Sequence, residues 1–138
     1  IIELLEIESI RHQPVGTLGY GLRKRVDLGR ALAQEPKILL MDEPTSALDL
    51  FRQIEVLQHM HQLARQTDMA VLIALHDLNH AMRYCDHSLV VADGRLVANG
   101  PTADVITPAL LRQVYRVDAR IENCTQGRPL VIVDAALA

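Results

Sequence analysis

The sequence has no tryptophan, a single phenylalanine and only two cysteines in 138 residues. Its core must therefore be aliphatic, and two thiols are too few for a disulfide framework. The formal net charge of −3 argues against general nucleic-acid binding, which requires a basic surface. The sequence also lacks an apolar run near the roughly 20 residues that span a membrane. What remains is a globular composition, with 49% hydrophobic and 22% charged residues.

The most informative stretch covers residues 38–49 and reads ILLMDEPTSALD. Four apolar residues lead into Asp42 and Glu43, and Pro44 ends the run. This pattern predicts a strand buried on both faces of a parallel sheet. Ligands of open α/β sheets bind beyond the carboxyl ends of the strands, so both carboxylates would lie at that edge, on opposite faces. The alternative is a strand that ends in solvated acids, and the PTSALD continuation argues against it.

A second apolar run, residues 69–75, predicts another buried strand. It ends at His76 and Asp77, so we expect His76 at the same sheet edge as Glu43 and Asp77 as the N-cap of the next helix. His76 and His80 are four residues apart, as in a zinc pair. However, His76 precedes the helix and no Glu follows it, which argues against zinc and leaves His80 as a surface residue.

A glycine-rich loop precedes these strands. Gly16 and Gly21 have the spacing of a phosphate-binding P-loop. A working P-loop continues with Lys and then Ser or Thr. Leu22 and Arg23 stand at those positions here, and no strand is predicted before the loop. The sequence therefore does not predict a P-loop.

The next predicted helix, residues 23–34, begins with Arg23, Lys24 and Arg25. A helix N-terminus offers free backbone N–H groups and a positive dipole end to an anion. The three cations oppose that dipole, so a nearby anion would relieve them. Simple solvation is the alternative, and the sequence leaves both open.

Apolar periodicity and turn residues predict the remaining elements. Further helices are predicted over residues 1–10, 50–66 and 78–85, with Asp49 as the N-cap of the second. Another helix opens at Thr107 and Pro108. Two hairpins are predicted, strands 88–92 and 95–98 around the turn Asp93-Gly94, and strands 119–121 and 130–133.

The order and spacing of these motifs resemble those of ATP-binding cassette (ABC) ATPases. Residues 38–43 resemble the Walker B strand, and Ser46-Ala47-Leu48-Asp49 (the D-loop-like segment, residues 46–49) resembles that family's D-loop. Residues 18–22 (the signature-like loop) stand where the family has LSGGQ but read LGYGL. Gly19, Tyr20 and Leu22 therefore depart from the family's Ser, Gly and Gln.

The resemblance covers about residues 1–133 and implies a fold. That fold is the C-terminal half of a P-loop NTPase ABC ATPase domain, of the α/β class, with a mostly parallel sheet flanked by helices. Residues 1–34 would end the helical subdomain with a degenerate signature loop and helix. Residues 35–138 would form the C-terminal part of the RecA-like ATPase core.

The resemblance also implies roles for individual side chains, with ATP and Mg²⁺ as cofactors. Glu43 would polarise the attacking water, and Asp42 would hold Mg²⁺, usually through water. His76 matches the family's switch histidine, which contacts the γ-phosphate and orients the water.

Partners follow from the same resemblance. Two nucleotide-binding subunits, here a homodimer, would sandwich two ATP molecules. Gly19 and Gly21 would face the ATP of the opposite subunit, and Asp49 would lie at the subunit interface. The dimer would drive transmembrane permease subunits, and indirectly serve a substrate-binding protein, at the cytoplasmic face of the bacterial inner membrane. Residues 75–79, 83–86 and 127–130 are similar to importers of iron–siderophore, haem or vitamin B12 type; no nucleic acid is implied.

The family's A-loop, Walker A and Q-loop are absent from the sequence, and the chain begins without Met. We therefore expect a piece of a longer subunit that neither binds ATP tightly nor hydrolyses it alone. Uncovered strand edges and an apolar sheet face would favour aggregation.

Two alternatives stay open. A degenerate, non-catalytic half could serve dimerisation or regulation, which the altered signature favours and the intact Asp42, Glu43 and His76 disfavour. A chromosome or DNA-repair ATPase fits less well, because residues 1–14 are too short to show the coiled-coil heptads expected before its signature.

Overall fold

The computed structural model describes residues 1–3, 5–46 and 48–137. Their contacts divide the chain into two compact units, Ile1–Ala74 and Leu75–Ala138. Helices and strands occur in both units, which confirms the α/β class. The division predicted between residues 34 and 35 concerns subdomains of a family fold and stays a prediction.

The first unit contains two α-helices, two strands and two short 3-10 turns, Glu8–Ile10 and Val15–Thr17, among the described residues. In chain order the α-helices and strands are α1 (Tyr20–Leu32), β1 (Ile38–Asp42), α2 (Leu50–Gln66) and β2 (Ala70–Ala74). The predicted helix over residues 1–10 is wrong, because among the described residues of this stretch only Glu8–Ile10 form a helical turn, of 3-10 type. Ten residues are too few for a stable isolated helix. The Leu5 carbonyl instead accepts a hydrogen bond from Arg25 Nη1 at 3.2 Å.

β1 and β2 form a parallel pair, from Ile38 beside Ala70 to Asp42 beside Ala74. Side chains of α1 and α2 pack on one face of this pair. The buried residues there are Leu32, Leu39, Met41, Met60 and Met69. The expected burial of β1 on both faces is wrong: Ile38 and Leu40 each keep 70% of their surface exposed. The reason is that, in the described part of this unit, both long helices lie against the same face.

The second unit is built around two antiparallel hairpins. Its described elements are α3 (Leu78–Tyr84), β3 (His87–Ala92), β4 (Arg95–Pro101), α4 (Thr102–Val105), α5 (Pro108–Leu110), a π-helical turn (Leu111–Tyr115), β5 (Val117–Asn123) and β6 (Pro129–Ala136). Both predicted hairpins are confirmed. Asp93 and Gly94 have φ of 51° and 70°, as a type I′ turn requires. Only one of the three described sheets is parallel, a smaller share than the sequence predicts.

The core of the second unit lies between its helices and β5–β6. Its buried members are Ile106, Leu111, Ala119 and Val131. Asn79 ties α3 to β6, because its Oδ1 accepts from the Val131 N–H at 2.8 Å and its Nδ2 donates to the Val131 carbonyl at 3.2 Å. His80, predicted at the surface, is 8% exposed, so that prediction is wrong. Within the described residues, no helix is long and apolar enough to cross a membrane.

Candidate functional site

The carboxylates at the end of β1 occupy different backbone conformations. β1 ends at Asp42, and Glu43 turns away from the strand with φ of 42°, in the left-handed region. A side chain larger than glycine's costs about 1 to 2 kcal/mol there. The Glu43 N–H still donates to the Ala74 carbonyl at 3.2 Å. Strand alternation therefore stops at Asp42, and both exposed carboxylates follow the carboxyl edge of the parallel pair.

The segment after Glu43 is fixed by its own hydrogen bonds. The Ser46 N–H donates to the Glu43 carbonyl at 3.0 Å, and the Leu48 N–H donates to the Thr45 carbonyl at 3.3 Å. Asp49 is the predicted N-cap of α2, since its Oδ1 accepts the Arg52 N–H at 3.0 Å. Ala47, the second residue of the D-loop-like segment, lies outside the described residues.

Gln53 is a positioning residue that the sequence reasoning missed. Its Nε2 donates to the carbonyls of Leu48 and Thr45, at 3.0 and 3.3 Å. Thr45 is 4% exposed, so one of these acceptors belongs to a buried residue. An amide one turn into a helix, directly after a tight loop, is the signal that could have identified Gln53.

The signature-like loop leads into α1, with Gly19 as the N-cap in an extended conformation. Apart from Gly19 and its chain neighbours Leu18 and Tyr20, no atom of the described residues lies within 4 Å of the position that a Gly19 Cβ would take. A Cβ on Gly21 would contact Leu48 Cδ2 at 3.7 Å. The signature-like loop and the D-loop-like segment therefore meet at Gly21 and Leu48, and Gly19 faces open space.

Each cation at the start of α1 has a partner within the chain. Arg23 Nε donates to the Leu18 carbonyl at 2.8 Å, and Lys24 Nζ lies 5.5 Å from the centre of the Tyr20 ring. Arg25 contacts two carboxylates, which are described below. The sequence left solvation and a nearby anion as alternatives. The structure offers a third explanation, in which protein groups engage these cations.

A cavity of about 260 Å³ is lined by residues of α1, β1, α2 and the D-loop-like segment. Gly21, Asp42 and Leu48 all border it. Pockets for drug-sized ligands usually measure about 300 to 1,000 Å³, so this cavity lies just below that range. The described residues of the first unit thus bring three of the motifs together around it.

His76 is exposed and lies in the second unit, two residues after β2. Asp77 is the predicted N-cap of α3, because its Oδ1 accepts the His80 N–H at 2.9 Å. The expected proximity of His76 and Glu43 stays a prediction.

The described side chains contain no group of three His, Cys, Asp or Glu residues that could hold a metal ion. The described residues therefore give no support for a zinc site at His76 and His80. Mg²⁺ differs, because it is usually bound by one or two carboxylates together with phosphate oxygens and waters. The exposed carboxylates of Asp42 and Glu43 fit that mode.

Comparison with known proteins gives consistent results. Residues 1–46 match the ABC transporter family. Over 132 residues the chain is 39% identical to an uncharacterized ABC transporter ATP-binding protein of Methanocaldococcus jannaschii, covering 96% of this chain and 51% of that protein. It is 36% identical to the ferric enterobactin transport ATP-binding protein FepC of Escherichia coli, covering 91% and 47%. Other relatives are named for hemin and cobalamin import.

The fold comparison agrees with the sequence comparison. A solved ABC transporter in an inward-facing conformation superposes with a TM-score of 0.85 at 24% identity, over 96% of this chain and 54% of that chain. The chain spans between about a quarter and half of the length of these curated relatives. These comparisons confirm the resemblance that the motifs predict.

Proposed function

We propose that this chain, which is related by sequence and by fold to the ATP-binding proteins of ABC transporters, is the C-terminal part of a subunit that hydrolyses ATP to drive an importer. The observation that carries the proposal is the pair of exposed carboxylates at the end of β1, Asp42 within the strand and Glu43 turned out of it. Relatives named for ferric enterobactin, hemin and cobalamin support an iron–siderophore, haem or cobalamin substrate.

Three side chains of this chain would act in hydrolysis: Glu43, Asp42 and His76. Bound ATP with Mg²⁺ supplies the phosphoryl group and a cation that offsets its charge. The Glu43 carboxylate would accept a hydrogen bond from the attacking water and draw its proton. Asp42 would hold Mg²⁺, and His76 would orient the water and contact the γ-phosphate.

The signature-like loop would act on the opposite subunit of a homodimer. Gly19 faces open space at the N-terminus of a 13-residue helix, where free N–H groups favour an anion. Gly19 and Gly21 would therefore face the ATP held by the partner, and Asp49 would lie at the subunit interface. At the cytoplasmic face of the bacterial inner membrane, the dimer would transmit its conformational change to transmembrane permease subunits.

The 138-residue chain alone is proposed to be inactive. The glycine spacing of residues 16–21 is not followed by the Lys and Ser or Thr that cradle phosphates. The phosphate loop would therefore come from the part of such proteins that this chain does not span.

The test uses the full-length protein that contains this chain. Glu43→Gln should lower kcat for ATP hydrolysis by about a hundredfold or more, because it removes the base and keeps the size of the side chain. Glu35→Gln is a matched control, since Glu35 is also exposed and has a left-handed φ of 49°. No hydrolysis by the wild-type protein, or equal hydrolysis by Glu43→Gln, would reject the proposal.

The altered signature favours a second candidate, a non-catalytic module for dimerisation or regulation. Gly19 has no hydroxyl, and Tyr20 is 53% exposed where the family has glycine. Restoring the family's residues with Gly19→Ser, Tyr20→Gly and Leu22→Gln distinguishes the catalytic subunit from the non-catalytic module. The first proposal expects ATP hydrolysis to rise. Unchanged hydrolysis, with dimer formation intact in sedimentation, would favour the module.

A further inference from the structure

Four charged side chains in the first unit form a closed ring of alternating sign. Arg25 Nη1 lies 3.2 Å from Glu6 Oε2, and its Nη2 lies 3.6 Å from Glu55 Oε2. Arg52 Nη1 lies 3.1 Å from the same Glu6 oxygen and 2.7 Å from the same Glu55 oxygen. Each guanidinium therefore contacts both carboxylates. We name these residues, Glu6, Arg25, Arg52 and Glu55, the charge ring.

Two of the four side chains in the charge ring are more buried than those of an ordinary surface ion pair, whereas Arg52 and Glu6 are 36% and 57% exposed. The side chains of Arg25 and Glu55 are only 17% and 22% exposed. The Arg30–Asp27 pair on α1, in contrast, is 77% and 62% exposed and spans 4.0 Å. Isolated exposed pairs contribute little to stability, whereas networks with restricted geometry contribute more. Hydrogen bonds from Arg25, which has the larger effect, and from Arg52 hold the pKa of the Glu6 carboxyl below its usual value.

The ring joins three segments close to both candidate loops. Arg25 lies one turn after Gly21 in α1, and Arg52 lies in the first turn of α2, three residues after Asp49, which ends the D-loop-like segment. Glu6 comes from the N-terminal segment, which is also held by the hydrogen bond from Arg25 to the Leu5 carbonyl. The ring therefore connects the starts of the two helices that carry the loops.

The two loops approach each other at Gly21 and Leu48. A Cβ on Gly21 would lie 3.7 Å from Leu48 Cδ2, which is ordinary van der Waals range, and an approach of this kind does not set orientation. Helices transmit position along their length as stiff elements, so a connection one turn inside each helix would fix both loops. Arg52 also opposes the dipole at the start of α2, and the carboxylates of Glu6 and Glu55 offset that charge.

We propose that the charge ring positions the signature-like loop against the D-loop-like segment, so that the two loops move as one body. This rests on the proposed function, in which both loops face the partner subunit. None of the four residues needs to touch nucleotide. They are positioning residues that act through the N-termini of α1 and α2.

The experiment uses the full-length protein with Arg25→Met, Glu55→Gln and the double variant. Amide hydrogen exchange is followed by mass spectrometry over residues 19–25 and 48–52. Each single variant should raise the exchange rate in both segments by about tenfold, because local opening then no longer has to break the charge ring. Exchange in the double variant should be only slightly faster than in the faster of the two single variants, since both changes open the same ring.

Arg30→Met and Asp27→Asn form the matched control pair. They remove an ion pair of the same chemistry that stays within α1, so exchange in the two segments should not change. ATP hydrolysis gives the second readout. The ring variants should lower kcat between about tenfold and a hundredfold with KM for ATP unchanged, because misplaced groups lose transition-state contacts.

Two results would overturn the inference. Faster exchange in only one of the segments would show that the ring does not couple them. Faster exchange throughout residues 1–74 would show general stabilisation only. If the wild-type protein does not hydrolyse ATP, the proposed function fails, while the exchange experiment still decides about the ring.

Discussion

The backbone N–H of Glu43 donates to the carbonyl oxygen of Ala74 at 3.2 Å, although Glu43 has already left β1 with φ of 42°. The bond extends the pairing of the two strands by one residue beyond Asp42 and Ala74. It therefore anchors the first residue of the loop to the sheet. Backbone strain at a candidate active site is a reason to look for function, because the surrounding structure must stabilise it.

The strain at Glu43 leads to a prediction on stability and activity together. Glu43→Gly should raise the free energy of unfolding by about 0.5 to 1 kcal/mol, since relief of the left-handed φ outweighs glycine's added chain entropy. The same change should abolish ATP hydrolysis by the full-length protein. Urea unfolding and an ATPase assay measure both effects.

Glu35→Gly provides the control, with the same residue type and a similar φ of 49°. It should give a similar gain in stability and leave hydrolysis unchanged. A loss of stability in Glu43→Gly would show that the left-handed φ costs little or that the side chain stabilises the loop.

Gln53 is predicted to stabilise the D-loop-like segment. Gln53→Met keeps the size of the side chain but removes the hydrogen bonds to the carbonyls of Leu48 and Thr45. The free energy of unfolding should fall by about 1 to 2 kcal/mol. Gln58→Met, at an exposed position of the same helix, should stay within about 0.5 kcal/mol. Equal effects of the two substitutions in urea unfolding would contradict the role of Gln53.

Neighbouring leucines of β1 should respond differently to truncation. Leu39 is 5% exposed and Leu40 is 70% exposed. Leu39→Ala should therefore cost about 2 to 5 kcal/mol in the unfolding of the 138-residue chain. Leu40→Ala should cost less than about 0.5 kcal/mol, as is usual for surface positions.

The exposed face of β1 also predicts association of the 138-residue chain. Ile38, Leu40 and Leu72 present apolar surface there, at 70%, 70% and 49% exposure. Leu40→Gln should reduce light scattering at a given concentration, because it interrupts this patch. A wild-type chain that stays monomeric at high concentration would contradict this prediction.

The two cysteines are predicted to differ in reactivity. Backbone hydrogen bonding, above all with Arg128, lowers the pKa of the Cys124 thiol, whereas burial raises the pKa of Cys85, with a smaller effect of Asp86. At neutral pH more of Cys124 is therefore thiolate, the reactive form. Iodoacetamide should label Cys124 first, and its rate should rise at lower pH than that of Cys85. Peptide mass spectrometry measures this, with Cys124→Ser as the control; faster labelling of Cys85 would contradict it.

Local sequence patterns predicted much of the secondary structure. The apolar stripe after Asp49 gives a helix over the predicted residues, Leu50–Gln66, because the stripe and the N-cap both act within the segment. Asp93-Gly94 gives the predicted hairpin for the same reason, since both residues favour a left-handed φ. The apolar run that Pro44 ends likewise indicated Asp42 and Glu43 as candidate site residues.

Other features depend on contacts between distant segments. Periodicity shows which residues share a helix face but not what that face packs against. His80 is therefore predicted at the surface, although the packing of α3 buries it. The apolar run of β1 did not reveal that the described helices cover only one face.

The clearest division concerns charge. The sequence alone determined that cations follow the signature-like loop and that carboxylates follow β1. Only the tertiary structure decided that Arg25 and Arg52 share Glu6 and Glu55, residues up to 46 positions apart. Charges attract according to their distance in space, and the packing of α1, α2 and the N-terminal segment sets that distance.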